Sequence, residues 1–174
     1  MSEESKIGIS SRIYLLGMMG VGKSTIGKKL SSLLRYTFID LDKEIEKQEG
    51  RTISDIFEQS GEDYFRDIEA KTLRSIHKEH MVIATGGGTP CFNNNIQYIN
   101  EHGTSVYLRA NPGLIFQRIY RSADKRPLLK GMYDEQLREF IKQKMDEREP
   151  FYMQAHHVFE IPLQSVESLV IAIS

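Results

Sequence analysis

The residues with the clearest chemical meaning are nine consecutive positions near the start of the chain, Gly17 to Thr25, with the sequence GMMGVGKST. They match the phosphate-binding pattern G-x-x-x-x-G-K-[ST] at every fixed position. In this pattern, backbone N–H groups and the N-terminus of the following helix cradle nucleotide phosphates. A turn without a ligand would not require a lysine and a serine at these places. The pattern therefore predicts a site for ATP or GTP, with contacts from Gly20, Val21, Gly22, Lys23, Ser24 and Thr25.

Two of these residues have predicted tasks beyond simple contact. Lys23 is expected to reach the β- and γ-phosphates. Ser24 is expected to offer its hydroxyl to Mg²⁺, which in such sites also contacts the nucleotide phosphates.

Two aspartates, Asp40 and Asp42, follow a short apolar run at Phe38 and Ile39. Asp40 could bind a water of the Mg²⁺ shell, because Mg²⁺ keeps much of its hydration. Asp42 could orient an acceptor hydroxyl and take its proton. Alternatively, Asp42 would cap a helix that begins at Lys43. The preceding phosphate loop favours the catalytic interpretation.

Three glycines, Gly86, Gly87 and Gly88, follow another apolar run. Consecutive glycines lose much conformational entropy on folding, and they commonly mark a place where another group approaches the backbone closely. A substrate ring that packs against the exposed backbone N–H groups would be such a group. A flexible turn is the alternative.

Three arginines are candidates for binding anions. Arg66 and Arg148 both lie in helical sequence, where each could equally be a solvated surface charge, and Glu62 with Arg66 forms a plain i, i+4 pair. Arg126 lies in an irregular basic segment, where it could fold over a nucleotide and stabilise charge on the transferred phosphoryl group. An ordinary solvated loop is the alternative for Arg126.

The elements that must position these residues alternate between strands and helices. Such alternation predicts right-handed βαβ units and a parallel sheet, which binds ligands at the carboxyl ends of its strands. Every candidate residue that directly follows a predicted strand is therefore expected at the carboxyl edge of this sheet. The predicted strands are Ile13 to Leu16, Thr37 to Ile39, Met81 to Ala84, Ser105 to Leu108 and His157 to Ile161.

Several helix boundaries are also predicted. Asn111 should cap a helix with Pro112 at its first position, and Ser165 should cap the last helix. A helix striped by Leu137 and Ile141 should end before Pro150. Two separate helical stretches are predicted around residues 53–57 and 65–76.

Length, composition and charge exclude several classes of protein. The chain has 174 residues, enough for one domain with a substantial core, here taken as residues 1–174. A net charge of −1 with intermixed signs argues against a surface for nucleic acid or for anionic membranes. Its one cysteine, Cys91, allows no internal disulfide, and the polar start of the chain has no signal-peptide core. We therefore expect a cytoplasmic protein.

Taken together and in order, these motifs resemble one family, the shikimate kinases. The matching segments are Gly17 to Thr25, Phe38-x-Asp40-x-Asp42, Phe65-Arg66, Gly86-Gly87-Gly88, Arg126-Pro127-Leu128-Leu129 and Arg148-x-Pro150-x-Tyr152. The phosphate loop is shared by many kinases, whereas the complete ordered set is far more specific. The resemblance implies that ATP phosphorylates shikimate to shikimate 3-phosphate, on the route to chorismate and the aromatic amino acids.

The resemblance also implies roles for individual residues on the substrate side. Asp42 is similar to the residue that binds ring hydroxyls and activates the acceptor. Arg66 and Arg148 resemble a clamp for the substrate carboxylate, a group that the planar fork of arginine matches well. Gly88, with Gly86 and Gly87, resembles a backbone contact to the substrate.

On the nucleotide side, Arg126 resembles a lid arginine over the phosphates, and Arg118 a second arginine that contacts the nucleotide. Ser24, and Asp40 through water, resemble the metal positions. The implied catalytic set is Asp42, Lys23 and Arg126.

The expected architecture is a three-layer α/β domain with a five-stranded parallel sheet flanked by helices. We expect a substrate-binding helical region at about residues 42–76, a lid at about 120–133, and a monomer. The nearest alternative function is a kinase for another small polyol acid, such as gluconate. An inactive nucleotide-binding module is a further alternative, which the joint presence of Lys23, Asp42 and Arg126 disfavours.

Overall fold

The computed structural model describes residues 9–121, 134–162 and 164–174. Strands and helices alternate along most of this chain. The strands are β1 (Arg12–Leu16), β2 (Thr37–Asp40), β3 (Met81–Ala84), β4 (Thr104–Ala110) and β5 (His157–Ile161). The helices are α1 (Lys23–Leu34), α2 (Leu41–Glu49), α3 (Ile53–Ser75), α4 (Asn95–His102), α5 (Pro112–Tyr120), α6 (Asp134–Tyr152) and α7 (Val166–Ala172). A 3₁₀ turn, Thr89–Cys91, lies between β3 and α4.

The five strands form one parallel sheet in the order β2-β3-β1-β4-β5. In the central register, Leu15 of β1 lies between Ala84 of β3 and Val106 of β4. The carboxyl ends of β1, β2 and β3 therefore meet at one edge, so the phosphate loop, the aspartates and the triple glycine emerge side by side. The predicted five-stranded parallel sheet is confirmed.

Strand β1 is buried on both faces, which divides the core into two apolar layers. Ile13 and Leu15 pack with residues of α1, α5 and α7, whereas Tyr14 and Leu16 pack with residues of α2, α3 and α4. This alternation follows from the two-residue period of a strand. The three-layer arrangement is the predicted one. Within the described ranges, no helix combines the length and the apolar character needed to cross a bilayer.

Two helices begin at the predicted residues, and a side chain caps each of them. The Asn111 side chain accepts a hydrogen bond from the Leu114 backbone N–H at 2.8 Å, with Pro112 at the first helical position of α5. Ser165 accepts from the Ser168 backbone N–H at 3.2 Å at the start of α7. Both predicted helix starts are confirmed, because each side chain satisfies a donor that the helix itself leaves unpaired.

The predicted end of α6 before Pro150 is wrong. The helix runs from Asp134 to Tyr152 and contains Pro150. Proline removes one helical hydrogen bond, but Tyr152 beyond it is only 1% exposed and its hydroxyl donates to the Gly87 carbonyl at 2.5 Å. This tertiary anchoring offsets the local cost of the proline and carries the helix through its last turn.

Of two further local predictions, one is corrected and one is confirmed. Helix α2 begins at Leu41, so Asp42 lies inside its first turn and the alternative of Asp42 as a helix cap is wrong. The two helical stretches predicted around 53–57 and 65–76 are confirmed, because Gly61 (φ 84°, ψ 173°) is not helical and divides α3 into two helical parts at a kink. The kink explains why the apolar period of the sequence is interrupted there.

Candidate active site

A cavity of about 620 Å³ opens at the carboxyl edge of the sheet. The loop after β1, the start of α2 after β2, and the loop after β3 all contribute to its walls. Three of the motifs predicted from sequence therefore line one space. The predicted site residues that line it are Gly20, Val21, Gly22, Lys23, Ser24, Thr25, Asp40, Asp42, Gly86, Gly87 and Arg118.

The backbone of the phosphate loop depends on its glycines. Gly20 has φ 79° and Gly22, at the N-cap of α1, has φ 105°, values that side-chain-bearing residues rarely adopt. No side chain caps the N-terminus of α1, and the N–H groups of a helix N-terminus attract anions. The Lys23 side chain folds over the loop, and its ammonium donates to the carbonyls of Gly17 and Met18 at 2.7 and 3.1 Å.

Ser24 and Asp40 come together beside this loop. The Ser24 hydroxyl donates to Asp40 Oδ2 at 2.8 Å, although the residues lie on different elements. Both offer hard oxygen ligands, which is the donor type that Mg²⁺ prefers. Within the described residues no group of three or more His, Cys, Asp or Glu is arranged to hold a metal. The pair suits a cation that takes most of its ligands from phosphates and water.

Asp42 is the most perturbed carboxyl group of the cavity. Its pKa is raised from 3.8 to about 6, mainly by burial and also by the nearby carboxylates of Asp40 and Glu69, and the Lys23 ammonium partly offsets this rise. Such a group is ionised near neutral pH, yet it binds a proton more readily than an ordinary aspartate. Both properties suit a general base for a hydroxyl.

Arg66, on α3, is held against the triple glycine. Its Nε and Nη2 donate to Glu62 at 3.2 and 2.9 Å, and its Nη1 donates to Glu69 at 2.9 Å. Its side chain is only 12% exposed, so the alternative of a solvated surface charge is wrong, although the predicted pair with Glu62 is present. A Cβ placed on Gly88 would lie 2.8 Å from Arg66 Nη2, which explains the glycine there.

Arg148, on α6, reaches the same loop from the opposite side. A Cβ on Gly87 would lie 3.0 Å from Arg148 Nη1, which also donates a hydrogen bond to the sulfur of Met18 at 3.6 Å. In the described part of the chain, Arg148 forms no ion pair with a carboxylate. The two arginines thus flank consecutive glycines, and Tyr152 fixes the loop through the Gly87 carbonyl.

Glu69 is a residue of the site that the sequence analysis missed. It is fully buried, accepts a 2.6 Å hydrogen bond from the Thr89 hydroxyl, and pairs with Arg66. It also lies 3.0 Å from the position of a Cβ on Gly86. The sequence carries one signal for it, because a charged residue between the apolar positions Ile68 and Leu73 of a buried helix face requires a partner.

The remaining predicted nucleotide contacts are less enclosed. Arg118, on α5, donates to the Val21 carbonyl at 2.6 Å and so lies beside the phosphate loop. Thr25 is exposed at the start of α1. Arg126 lies outside the described residues, as does most of the segment predicted to be a lid.

Cys91 and the pair His156 and His157 do not form a metal site. Cys91 is partly buried next to the substrate-side arginines, and burial raises the pKa of its thiol to about 11. His156 Nδ1 contacts the backbone N–H of Ser105 at 3.2 Å, which is a structural role.

The sheet, the phosphate loop and the adjacent carboxylates and arginines define the class of the protein. It is a P-loop kinase. Comparison with known proteins identifies the family. A family model described as "Shikimate kinase" matches residues 19–173. A shikimate kinase of Phocaeicola vulgatus is 42% identical over 151 residues, which cover 86% of each chain.

Solved structures agree with this sequence match. A shikimate kinase from Bacteroides thetaiotaomicron superposes with a TM-score of 0.88 and 38% identity, covering 94% of this chain and 96% of that one. A shikimate kinase from Acinetobacter baumannii, solved in complex with shikimate, has a TM-score of 0.83 and 36% identity, with 94% and 90% covered. The chain belongs to the shikimate kinase family. The family, the fold class and an ATP-using kinase are confirmed as predicted from the sequence.

Proposed function

We propose that this protein transfers the γ-phosphoryl group of Mg-ATP to the 3-hydroxyl of shikimate. The observation that carries the proposal is the position of Asp42. Asp42 lines the same cavity as Ser24 and Asp40, and its Oδ1 lies 3.0 Å from the position of a Cβ on Gly86. The next two glycines are the ones that Arg148 and Arg66 approach. An acceptor held by the arginines would therefore present its hydroxyl next to both a base and the nucleotide phosphates.

The nucleotide end of the site consists of the phosphate loop and its charged neighbours. The N–H groups at the start of α1 and the Lys23 ammonium are placed to bind the phosphates. The Ser24 hydroxyl, and Asp40 through water, would hold Mg²⁺, which neutralises charge on the phosphates when it is bound. Arg118 adds a positive charge at the same loop.

The chemical step requires the ionised form of Asp42. Its carboxylate accepts the proton of the acceptor hydroxyl as that oxygen forms a bond to the γ-phosphorus. The bond between the γ-phosphorus and the bridging oxygen breaks, and ADP leaves. Because burial raises the pKa of Asp42 to about 6, the group is ionised at neutral pH and able to take the proton.

The arginine pair provides recognition of the acceptor carboxylate. Arg66 uses three N–H donors on Glu62 and Glu69 within the described chain, and a guanidinium has five. Two donors therefore remain for a ligand at the triple glycine. Arg148, without a carboxylate partner in the described residues, supplies a second cation there. Losing either charged contact should cost about 1.5–3 kcal/mol of substrate binding.

The first experiment is ADP release in a coupled assay with Mg-ATP and with shikimate, gluconate or no acceptor in parallel. We expect turnover with shikimate, little with gluconate, and slow hydrolysis without an acceptor. The Asp42→Asn variant should abolish the shikimate-dependent rate while keeping ATP binding. Turnover with gluconate but not with shikimate would reject shikimate as the substrate. ATP binding without turnover on any acceptor would favour a nucleotide-binding module.

Three expectations around this activity remain proposals. Dependence on Mg²⁺ is tested by titrating the metal into the assay after chelation. The monomeric state is tested by size-exclusion chromatography with light scattering. A cytoplasmic location is tested by cell fractionation.

A further inference from the structure

Phe92 is an exposed aromatic residue at the edge of the substrate side of the site. It follows the 3₁₀ turn Thr89–Cys91, which itself follows the triple glycine. The side chain is 38% exposed and belongs to neither of the two apolar cores. Filling of the core therefore does not account for a phenylalanine at this position.

The ring of Phe92 lies under the guanidinium of Arg66. The distance from Arg66 Cζ to the ring centroid is 4.0 Å, the closest approach of this arginine to an aromatic ring in the described residues. Glu62 and Glu69 hold the edges of the guanidinium through hydrogen bonds in its plane. The ring adds a contact on the face, which hydrogen bonds at the edges do not supply.

The backbone around Phe92 is tied to the same structure. The Cys91 N–H donates to the Gly88 carbonyl at 2.9 Å, and the Asn93 side-chain amide donates to the Arg66 carbonyl at 2.9 Å. The Asn95 N–H donates to the Phe92 carbonyl at 2.9 Å. The segment that carries the ring is thereby anchored both to the triple glycine and to the backbone of Arg66.

We propose that Phe92 is a positioning residue for Arg66, which it holds by stacking in the orientation that binds the substrate carboxylate. This inference rests on the proposed function, because it assigns Arg66 to the carboxylate. An arginine side chain loses much rotational freedom when it is ordered. If the Phe92 ring already fixes the plane of the Arg66 guanidinium in the free protein, less of this entropy is lost when the substrate binds. Phe92 therefore acts on substrate affinity and leaves the chemical step unchanged.

The test is steady-state kinetics of two Phe92 variants and one control. Phe92→Leu keeps an apolar side chain but removes the aromatic face, and we expect the KM for shikimate to rise about 3- to 10-fold. The kcat and the KM for ATP should stay within about twofold of wild type, within the usual scatter of such effects. Phe92→Tyr restores an aromatic face and should return the KM for shikimate to near the wild-type value.

Tyr64→Leu is a matched control. Tyr64 is 40% exposed, and its ring lies 5.4 Å from the guanidinium of Arg51, an arginine that does not line the site. This variant loses a similar exposed ring next to an arginine, yet it should leave the KM for shikimate unchanged. A rise equal to that of Phe92→Leu would overturn the proposal, because the effect would then be a general loss of stability in α3.

A double-variant cycle shows whether Phe92 acts through Arg66. In an Arg66→Met background, adding Phe92→Leu should change kcat/KM for shikimate by less than about twofold, because the stacked cation is already gone. A full 3- to 10-fold further loss would contradict the proposal. So would an unchanged KM in the single Phe92→Leu variant. Absence of any shikimate-dependent turnover in the wild-type protein would instead reject the proposed function itself.

Discussion

Replacing Asp42 by asparagine should abolish activity and at the same time stabilise the fold above pH 6. Burial, with the carboxylates of Asp40 and Glu69, raises the pKa of Asp42 to about 6. The folded protein therefore binds this proton more tightly than the unfolded chain does. At neutral pH the ionised carboxylate opposes folding, and the neutral amide of nearly the same shape does not.

The size of the effect follows from the change in pKa. The pKa changes from 3.8 to about 6. At about 1.4 kcal/mol for each pKa unit this corresponds to at most about 3 kcal/mol. Because the side chain keeps some contact with solvent, we expect a gain of about 1–3 kcal/mol. For a chain of this length that gain raises Tm by about 2–4 °C for each kcal/mol.

The dependence on pH has a definite sign. Below about pH 3, Asp42 is protonated in both states, because even the unfolded chain, with a pKa of 3.8, keeps most of this proton there, so the wild-type protein and Asp42→Asn should be about equally stable. As pH rises to about 6, the unfolded chain has lost the proton that the folded protein still holds, and the stability of the wild type falls relative to the variant. Above that pH the difference should be constant.

Urea unfolding of both proteins between about pH 3 and about pH 8 measures this difference, and ADP release measures the loss of activity. Asp55→Asn is a control of opposite sign, because hydrogen bonds from Thr52 lower the pKa of Asp55 and its ionised form stabilises the cap of α3. That variant should be less stable than wild type at neutral pH. A stability difference for Asp42→Asn that is negative at pH 8, or that does not vary with pH, would refute the account of Asp42.

The remaining predictions concern catalysis and the triple glycine. The kcat/KM for shikimate should fall as pH drops below about 6, the pKa of Asp42, and a profile flat to pH 5 would exclude Asp42 as the base. Gly88→Ala should raise the KM for shikimate, because the added Cβ would lie 2.8 Å from Arg66 Nη2 and displace the guanidinium. The Tm should change little, because alanine readily adopts the φ of −93° found at this position. An unchanged KM would contradict this prediction. Tyr152→Phe removes the hydrogen bond to the Gly87 carbonyl and should cost about 1–3 kcal/mol of stability in urea unfolding, so equal stability would argue against that bond. Arg126→Ala should lower kcat by about 10³ or more with a smaller effect on the KM for ATP, and a change in KM alone would exclude a role in the transition state.

Much of the site could be predicted because its chemistry is encoded in short stretches of sequence. The phosphate loop requires its glycines, Lys23 and Ser24 within nine consecutive positions, so local spacing alone predicts nucleotide binding. The order of strands and helices then predicts a parallel sheet, and a parallel sheet places Asp42 and the triple glycine at one edge. These conclusions need only local patterns and general rules of connectivity.

Other features were decided by contacts between residues far apart in the chain. The sequence leaves Arg66 and Arg148 as either clamp or surface charges, and only the packing of α3 and α6 brings both against Gly87 and Gly88. Pro150 locally predicts the end of a helix, but the buried Tyr152 carries α6 past it.

Glu69 shows the same division between sequence and tertiary structure. In the sequence it is one charge among many on a helix. In the fold it is fully buried between Arg66 and Thr89, where it pairs with the arginine and helps to raise the pKa of Asp42. Local sequence determined which chemical groups the site contains. Tertiary packing determined their burial and their neighbours, and therefore their charge state and their orientation toward the substrate.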